Sequence, residues 1–422
     1  MATWSNWSGS VRATPRETAR PRTEAELAQI VGRSDKVRVV GAGHSFMPLV
    51  ETTGALLSLS ELEGEVAFSA DKSRVWAPAG WSLAKLTAAL WEEGVSLINQ
   101  GDVNPQALAG AIATGTHGTG AELGSISTFA RAFRLMLADG SIVTCSESDN
   151  PDLFQAARLS LGLIGVVTRI EIDVLPAYHL EEKVESHPID AVEERWDELV
   201  ANNRHAEFWV FPYANMAIVK TLNPAPGEGP LKQQNDMDDR AFRVICDLCA
   251  ALPFLTPSLQ KMIVGPNVRQ RRVGPAYQVF ASDRTVRFEE MEYEMPRNAG
   301  WPALREAMAW IKKRNMPVTF PFEFRTIAQD DIWLSPMHAG PCLSISAHQY
   351  AKMPWRPFFE GIEPIFRGAG GRPHWAKRHT LTAADVEALY PHAGRFKAVR
   401  KAHDPSAKFT NAHLASLFVE GT

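Results

Sequence analysis

Residues 39–49 read VVGAGHSFMPL. Two β-branched residues lead into Gly41-Ala42-Gly43, and a histidine and a serine, His44 and Ser45, follow at once. A strand that ends in Gly-x-Gly turns tightly and presents backbone N–H groups, a concavity suited to a pyrophosphate. This is not the G-x-G-x-x-G dinucleotide fingerprint, because the third glycine is missing and Pro48 argues against a helix opening directly behind the turn. A titratable, nucleophilic imidazole placed directly behind a glycine turn therefore calls for a reason from elsewhere in the chain.

Two more glycine-rich stretches lie nearby. Residues 101–120 read GDVNPQALAGAIATGTHGTG and interleave Gly110, Gly115, Gly118 and Gly120 with Thr114, Thr116 and Thr119. Small side chains let a flat ligand approach the backbone, and hydroxyls serve its polar edge. The segment LGLIGVVTRI adds Gly162 and Gly165 ahead of a strand. Each loop alone reads equally well as a plain turn. Three within one unit point to a large nucleotide cofactor.

Around these loops the first 180 residues alternate short strands and helices. TEAELAQIVGRS is an amphipathic helix capped by Thr23, SLAKLTAALWEEG a second one opened by Ser82 and stopped by Gly94, and NPDLFQAARLSLG a third. AFRLMLADGSIVTCS is a hairpin turning on Asp139-Gly140. From about residue 181 a second α+β unit begins. EERWDELVANN starts a helix, the strands are AEFWVFPY, MAIVKTL, VRFEEMEYEM, VTFPFEFRTIA and CLSISAHQY, and helices are expected over 301–314, 355–367 and 383–401. NPAPGEGPLKQQNDMDD reads as a surface loop. The expected organisation is an α+β cofactor domain over 1–180 and an α+β substrate domain over 181–422.

Composition bounds the function. A net charge of −4 over 422 residues leaves no basic footprint for nucleic acid. The N-terminus has no apolar leader and no run of about 18 apolar residues occurs, so a cytoplasmic protein without a spanning segment is expected. The apolar stretch 241–264, broken by Asp247, Pro253 and Pro257, reads as a buried helix pair, with a membrane or partner contact as the disfavoured alternative. Four cysteines form no disulfide framework. Cys246 and Cys249 read as packed thiols, and no metal site is expected.

The substrate side shows in alternation. Glu323 and Arg325 lie at i and i+2 of a strand, so they share one face while Phe322 and Phe324 take the other. They either pair with each other or meet a polar ligand. Ser344, Ser346 and His348 share a face in the same way, and Arg372, His374, Lys377 and His379 follow. Together they suggest a cationic, hydrogen-bonding pocket with one carboxylate, suited to a neutral polyol.

GAGHSF, AGAIATGTHGTG, DLFQAARLSLGLIGVV, PFEFRTI, GGRPHWAK and DPSAKFTNAHL, in this order across nearly the whole chain, resemble the aldonolactone and alditol oxidases, flavoproteins of the vanillyl-alcohol-oxidase type. The resemblance implies a two-part FAD-binding domain and a cap domain with an antiparallel sheet, whose C-terminal segment, about 370–422, returns to the flavin. It implies that His44 binds FAD covalently through the flavin 8α-methyl, which answers the opening puzzle. It further places Val40, Gly41, Ala42, Gly43, Ser45, Phe46, Gly110, Thr114, Gly115, Thr116, His117, Gly118, Gly162, Gly165, Val166 and Asn411 along the cofactor. Glu323, Arg325, His348 and Lys377 are the expected catalytic residues. In that scheme Arg325 and Lys377 stabilise a developing alkoxide, Glu323 orients Arg325, and His348 is the base, with Lys377 as runner-up if burial lowers its pKa. Hydride passes to the flavin and O₂ is the expected final acceptor, with a quinone or cytochrome as the alternative.

The substrate signatures are mixed. Ala111 stands where alditol oxidases carry serine, Ala376 is spelled as in the lactone oxidases, and the 241–264 insert resembles animal lactone oxidases. His348 is the alditol-type residue. A sugar 1,4-lactone is favoured over an open-chain polyol.

Overall fold

The computed structural model describes residues 3–226, 239–265, 268–282, 284–337 and 340–419. Val37–Val39 forms the edge of a small parallel sheet, paired with Ala55–Leu57, which pairs in turn with Glu17–Ala19. The helix Glu24–Arg33 buries Leu27, Ile30 and Val31, and the Thr23 hydroxyl accepts from the Glu26 amide as expected.

A six-stranded antiparallel sheet follows. Its centre is Val166–Pro176, whose strict in-out burial matches its alternating sequence. It pairs with Ala130–Met136 on one side and Arg74–Pro78 on the other. The expected hairpin is present: Ile142 faces Met136, and Gly140 takes φ 85°, which the tight turn requires.

The second unit is an eight-stranded antiparallel sheet, in the order Arg269–Pro275, His179–Pro188, Met216–Ala225, His205–Val210, Phe322–Ile327, Cys342–Tyr350, Phe288–Pro296, Arg372–Pro373. One face is apolar. Phe208, Phe322, Phe324, Ile345 and Tyr293 pack there against Leu304 and Ile311 of helix Gly300–Arg314 and Phe358 and Phe366 of helix Arg356–Gly368. The other face carries charge and looks toward the glycine loops. After the last strand the chain leaves this sheet. Trp375, Tyr390, Phe396, Leu414 and Phe418 join the same core as Leu86, Leu108 and Phe133 of the first unit.

Three expectations change. The helix expected over 383–401 is two, Ala383–Leu389 and Ala393–His403, because Pro391 cannot continue the first. The helix expected at EERWDELVANN is likewise two, Ile189–Glu194 and Trp196–Asn202, parted at Arg195. The stretch 241–264 is a helix pair bent by 119°, Asp239–Ala251 and Thr256–Ile263. It buries Phe242, Cys246 and Cys249, with both thiols free, but only on its inner side: Val244 and Phe254 are 66% and 75% exposed. No single helix among the described residues is long and apolar enough to cross a membrane. Most of the expected surface loop, residues 227–238, lies outside the described residues.

The closing segment is anchored by Trp375, fully buried, whose indole N–H donates to the Leu334 carbonyl at 2.7 Å. Trp375→Ala should destabilise the protein by about 3–5 kcal/mol in denaturant unfolding. Leu175→Ala, at a 37% exposed site, should change it by less than ~1 kcal/mol. Equal losses would show that the segment is not packed into the first core.

Candidate active site

A cavity of about 860 Å³ lies between the glycine loops and the charged face of the large sheet. This is the upper part of the size range of small-molecule sites. Val40, Gly41, Ala42, Gly43, His44 and Ser45 line it from the first loop, and Gly110, Ala111, Thr114, Thr116 and His117 from the second. Gly162, Gly165 and Val167 line it from the third.

The local reasons are steric. A Cβ on Gly41 would come within 2.8 Å of the Ala107 Cβ, so the first two loops pack backbone to backbone there. A Cβ on Gly110 would meet nothing within 4 Å, so this position opens onto the cavity. The third loop is tied to the first strand by Arg38, which is buried and donates to the carbonyls of Leu161 at 2.7 Å and Gly162 at 2.9 Å. Burial lowers its pKa to about 10, which still leaves it a cation.

Five residues expected along the cofactor do not face the cavity. Phe46 packs against Phe288, 5.9 Å between ring centroids. Gly115 ends the helix Leu108–Thr114 in the left-handed region, φ 78°. Gly118 lies against the Gln100 carbonyl, which leaves no room for a Cβ. Val166 points into the sheet core, and its neighbour Val167 faces the cavity instead. Asn411 caps the helix Ala412–Phe418, and its amide donates to the carbonyls of Pro48 and Glu51, which clamps the C-terminal segment to the chain just past His44.

From the sheet come Glu323, Arg325, His348, His374 and Lys377, and two residues that sequence reasoning missed, Glu290 and Glu292. The strand Phe288–Pro296 carries Glu290, Glu292 and Glu294 on the cavity side and Met291, Tyr293 and Met295 on the helix side. The acid-apolar alternation in FEEMEYEM was the available signal. Arg325 contacts Glu292 at 2.5 Å and Glu323 only at 3.5 Å, so Glu292, and not Glu323, is its orienting partner. The Ser344 hydroxyl donates to Glu292 at 2.6 Å, and His117 stands 3.3 Å from both Glu292 and Glu294. Lys377 contacts Glu290 at 2.5 Å. His348 Nδ1 faces the Pro321 carbonyl at 3.1 Å and Nε2 faces Glu290 at 3.4 Å.

These contacts set the protonation states. Burial alone would lower the Lys377 pKa, but Glu290 and Glu292 outweigh it and raise it, which favours the ammonium, so the condition for Lys377 to act as the base is not met. Burial would raise Glu290 and Glu292, yet Lys377 and His348 hold the first low and Arg325 and His117 the second. Glu323 is raised by burial, which Arg325 offsets only in part. His44 is lowered to about 4 by burial and by the Lys377 charge, and burial takes His374 to about 3, so both rings are neutral at pH 7. The expected cationic pocket is thus a mixed one: Glu290, Glu292 and Glu323 face Arg325, Lys377 and His117, whose pKa burial would lower but Glu292 and Glu294 raise to about 9. Arg372 and His379 do not line it: the first stacks over Tyr390 at 5.4 Å and the second is buried beside Trp375.

Comparison with known proteins fits this geometry. Residues 170–417 match the family model D-arabinono-1,4-lactone oxidase, and residues 15–146 match an FAD binding domain. The chain is 36% identical over 419 residues to an L-gulono-1,4-lactone dehydrogenase of Mycobacterium tuberculosis, covering 97% of both chains. It is 28% identical to the L-gulonolactone oxidase of Bos taurus, over 98% of this chain and 97% of that one. An alditol oxidase of Streptomyces is 29% identical over 98% of each. A solved structure named solvent-stable cholesterol oxidase superposes with a TM-score of 0.84 at 18% identity, over 99% of this chain and 97% of that chain, and so shares the fold. Both the sequence matches and the two-unit architecture lead to one assignment: the chain belongs to the D-arabinono-1,4-lactone oxidase family of FAD-dependent oxidoreductases.

Proposed function

We propose that the protein oxidises a hydroxyl of a five-membered aldono-1,4-lactone, with FAD held covalently through His44 and O₂ as the final acceptor. The observation that carries the reading is one cavity with a glycine-lined half beside His44 and, facing it, Glu323, Arg325, His348 and Lys377. The residues present fit FAD: Gly110 leaves open space, and His44 is a neutral imidazole, the nucleophilic form. Bound there, FAD supplies a ring that accepts hydride.

The chain's own residues do the rest. Arg325, fixed by Glu292, and Lys377, fixed by Glu290, present charged N–H donors to a substrate oxygen as it loses its proton. His348 Nε2 accepts that proton. Its other nitrogen is held by the Pro321 carbonyl, and Glu290 at 3.4 Å stabilises the imidazolium that forms. Glu323 accepts hydrogen bonds from further hydroxyls. With FAD bound, the carbinol carbon would give up its hydrogen as hydride and become a carbonyl, and the two electrons, with two protons, would pass from the flavin to O₂ as H₂O₂. The opening at Gly110 supports O₂ access. Ala111, which lines the cavity with no hydroxyl to offer, favours a rigid ring, which loses little conformational freedom on binding, over a flexible chain.

Acid precipitation should leave the yellow colour in the pellet, and His44→Ala should release it to the supernatant; free flavin from the unaltered protein would refute the covalent link. Lys377→Met or Arg325→Met should slow anaerobic flavin reduction by about 10²–10³ while the fold survives, and an unchanged rate would remove that residue from the chemical step. The substrate class is read from kcat/KM for gulono- or galactono-1,4-lactone against xylitol or sorbitol. A ratio above one is expected, and a ratio well below one would make the protein an alditol oxidase.

A further inference from the structure

The charged face of the large sheet does not end at Arg325. Register carries it on: Arg325 lies opposite Glu207, Glu207 opposite Lys220, Lys220 opposite Val184. One step along, Glu182 lies opposite Arg272 on the edge strand. From the strand of Arg325 to that of Arg272 is four inter-strand steps, about 19 Å at the usual strand spacing. The cavity follows this row, lined by Trp209, Ile218, Lys220, Val184, Glu182 and Arg272. A five-membered lactone with one exocyclic carbon is shorter than two such steps, so the reacting ring leaves the far part of the cavity unfilled.

The chemistry of that far part is specific. Lys220 contacts Glu207 at 2.8 Å and Glu182 at 3.8 Å, and Arg272 grips Glu182 through two bonds of 2.7 and 2.9 Å. The charges balance, so the wall offers donors and acceptors without a net field for an ion. Trp209, with the Lys220 ammonium 5.3 Å from its ring centroid, and Ile218 and Val184 supply apolar floor between them. Hydrogen-bonding groups around an aromatic and aliphatic floor suit a molecule with hydroxyls on its edge and C–H groups on its faces.

Resting on the functional reading above, we propose that Trp209 and Lys220, backed by Val184 on the next strand, form a distal subsite for the polyhydroxyl extension of the substrate, so that the enzyme selects lactones with longer exocyclic chains. Each added hydroxyl that is bound there raises kcat/KM by about three- to tenfold.

The test compares arabinono-1,4-lactone, with one exocyclic carbon, with gulono- and galactono-1,4-lactone, with two, in the flavin-loaded enzyme. The six-carbon substrates should be favoured by that factor. Trp209→Leu, which removes the floor, and Val184→Phe, which fills the subsite, should bring the ratio toward one, with flavin content and thermal midpoint reporting that each variant is folded. A ratio near one in the unaltered enzyme overturns the proposal. So does a pair of folded variants that lower both substrate classes equally, the mark of a purely structural row. If no lactone bleached the flavin, the functional reading itself would fall and the subsite with it.

Discussion

Three carboxylates, Glu290, Glu292 and Glu294, stand buried side by side on one face of a single strand. Like charges at that spacing cannot remain ionised together without cations among them, and burial pushes the outermost, Glu294, up to about 7. Arg325 from the strand two places along the sheet, Lys377 from the returning C-terminal segment and His117 from the second glycine loop supply them for Glu290 and Glu292. Removing one partner from such a set leaves an uncompensated buried charge, which typically costs about 3–5 kcal/mol. The strand therefore pins three distant parts of the chain to one place, and that place is the wall of the cavity.

The same contacts give the site its chemistry. A lysine in an apolar pocket would lose its proton and serve as a base. Here two glutamates keep it an ammonium, so it can only donate. In the proposed reaction the proton goes to His348, whose outer nitrogen faces the same Glu290 that holds the lysine. One carboxylate, Glu290, thus orients both His348 and Lys377, while its neighbour Glu292 orients Arg325. Glu323, bound less tightly by Arg325, is left facing the cavity with a raised pKa.

The glycine-lined half has another origin. It depends on close backbone approach, as where Gly41 meets Ala107, and on a left-handed turn at Gly115 that brings Thr116 and His117 round to the cavity. Arg38 and Asn411 lie outside the reaction but hold this half in shape, the first by binding the third loop and the second by tying the C-terminus to the chain after His44.

By itself the sequence determined the local and periodic features. Period-2 alternation placed Glu323 and Arg325 on one face and Phe322 and Phe324 on the other, the Asp139-Gly140 pair fixed a hairpin, and motif order gave the family. Pro391 was visible as a helix breaker, yet the amphipathic pattern on either side of it hid the break. Only the tertiary structure decided what is non-local: which carboxylate meets Arg325, which carboxylates surround Lys377, and that Val167 rather than Val166 faces the cavity. The reason is physical. A pKa or an ion pair depends on distances between residues far apart in the chain, such as Glu290 and Lys377, and strand register turns a one-residue shift into the opposite face. Such distances are set by how the two units pack, and no stretch of sequence contains them.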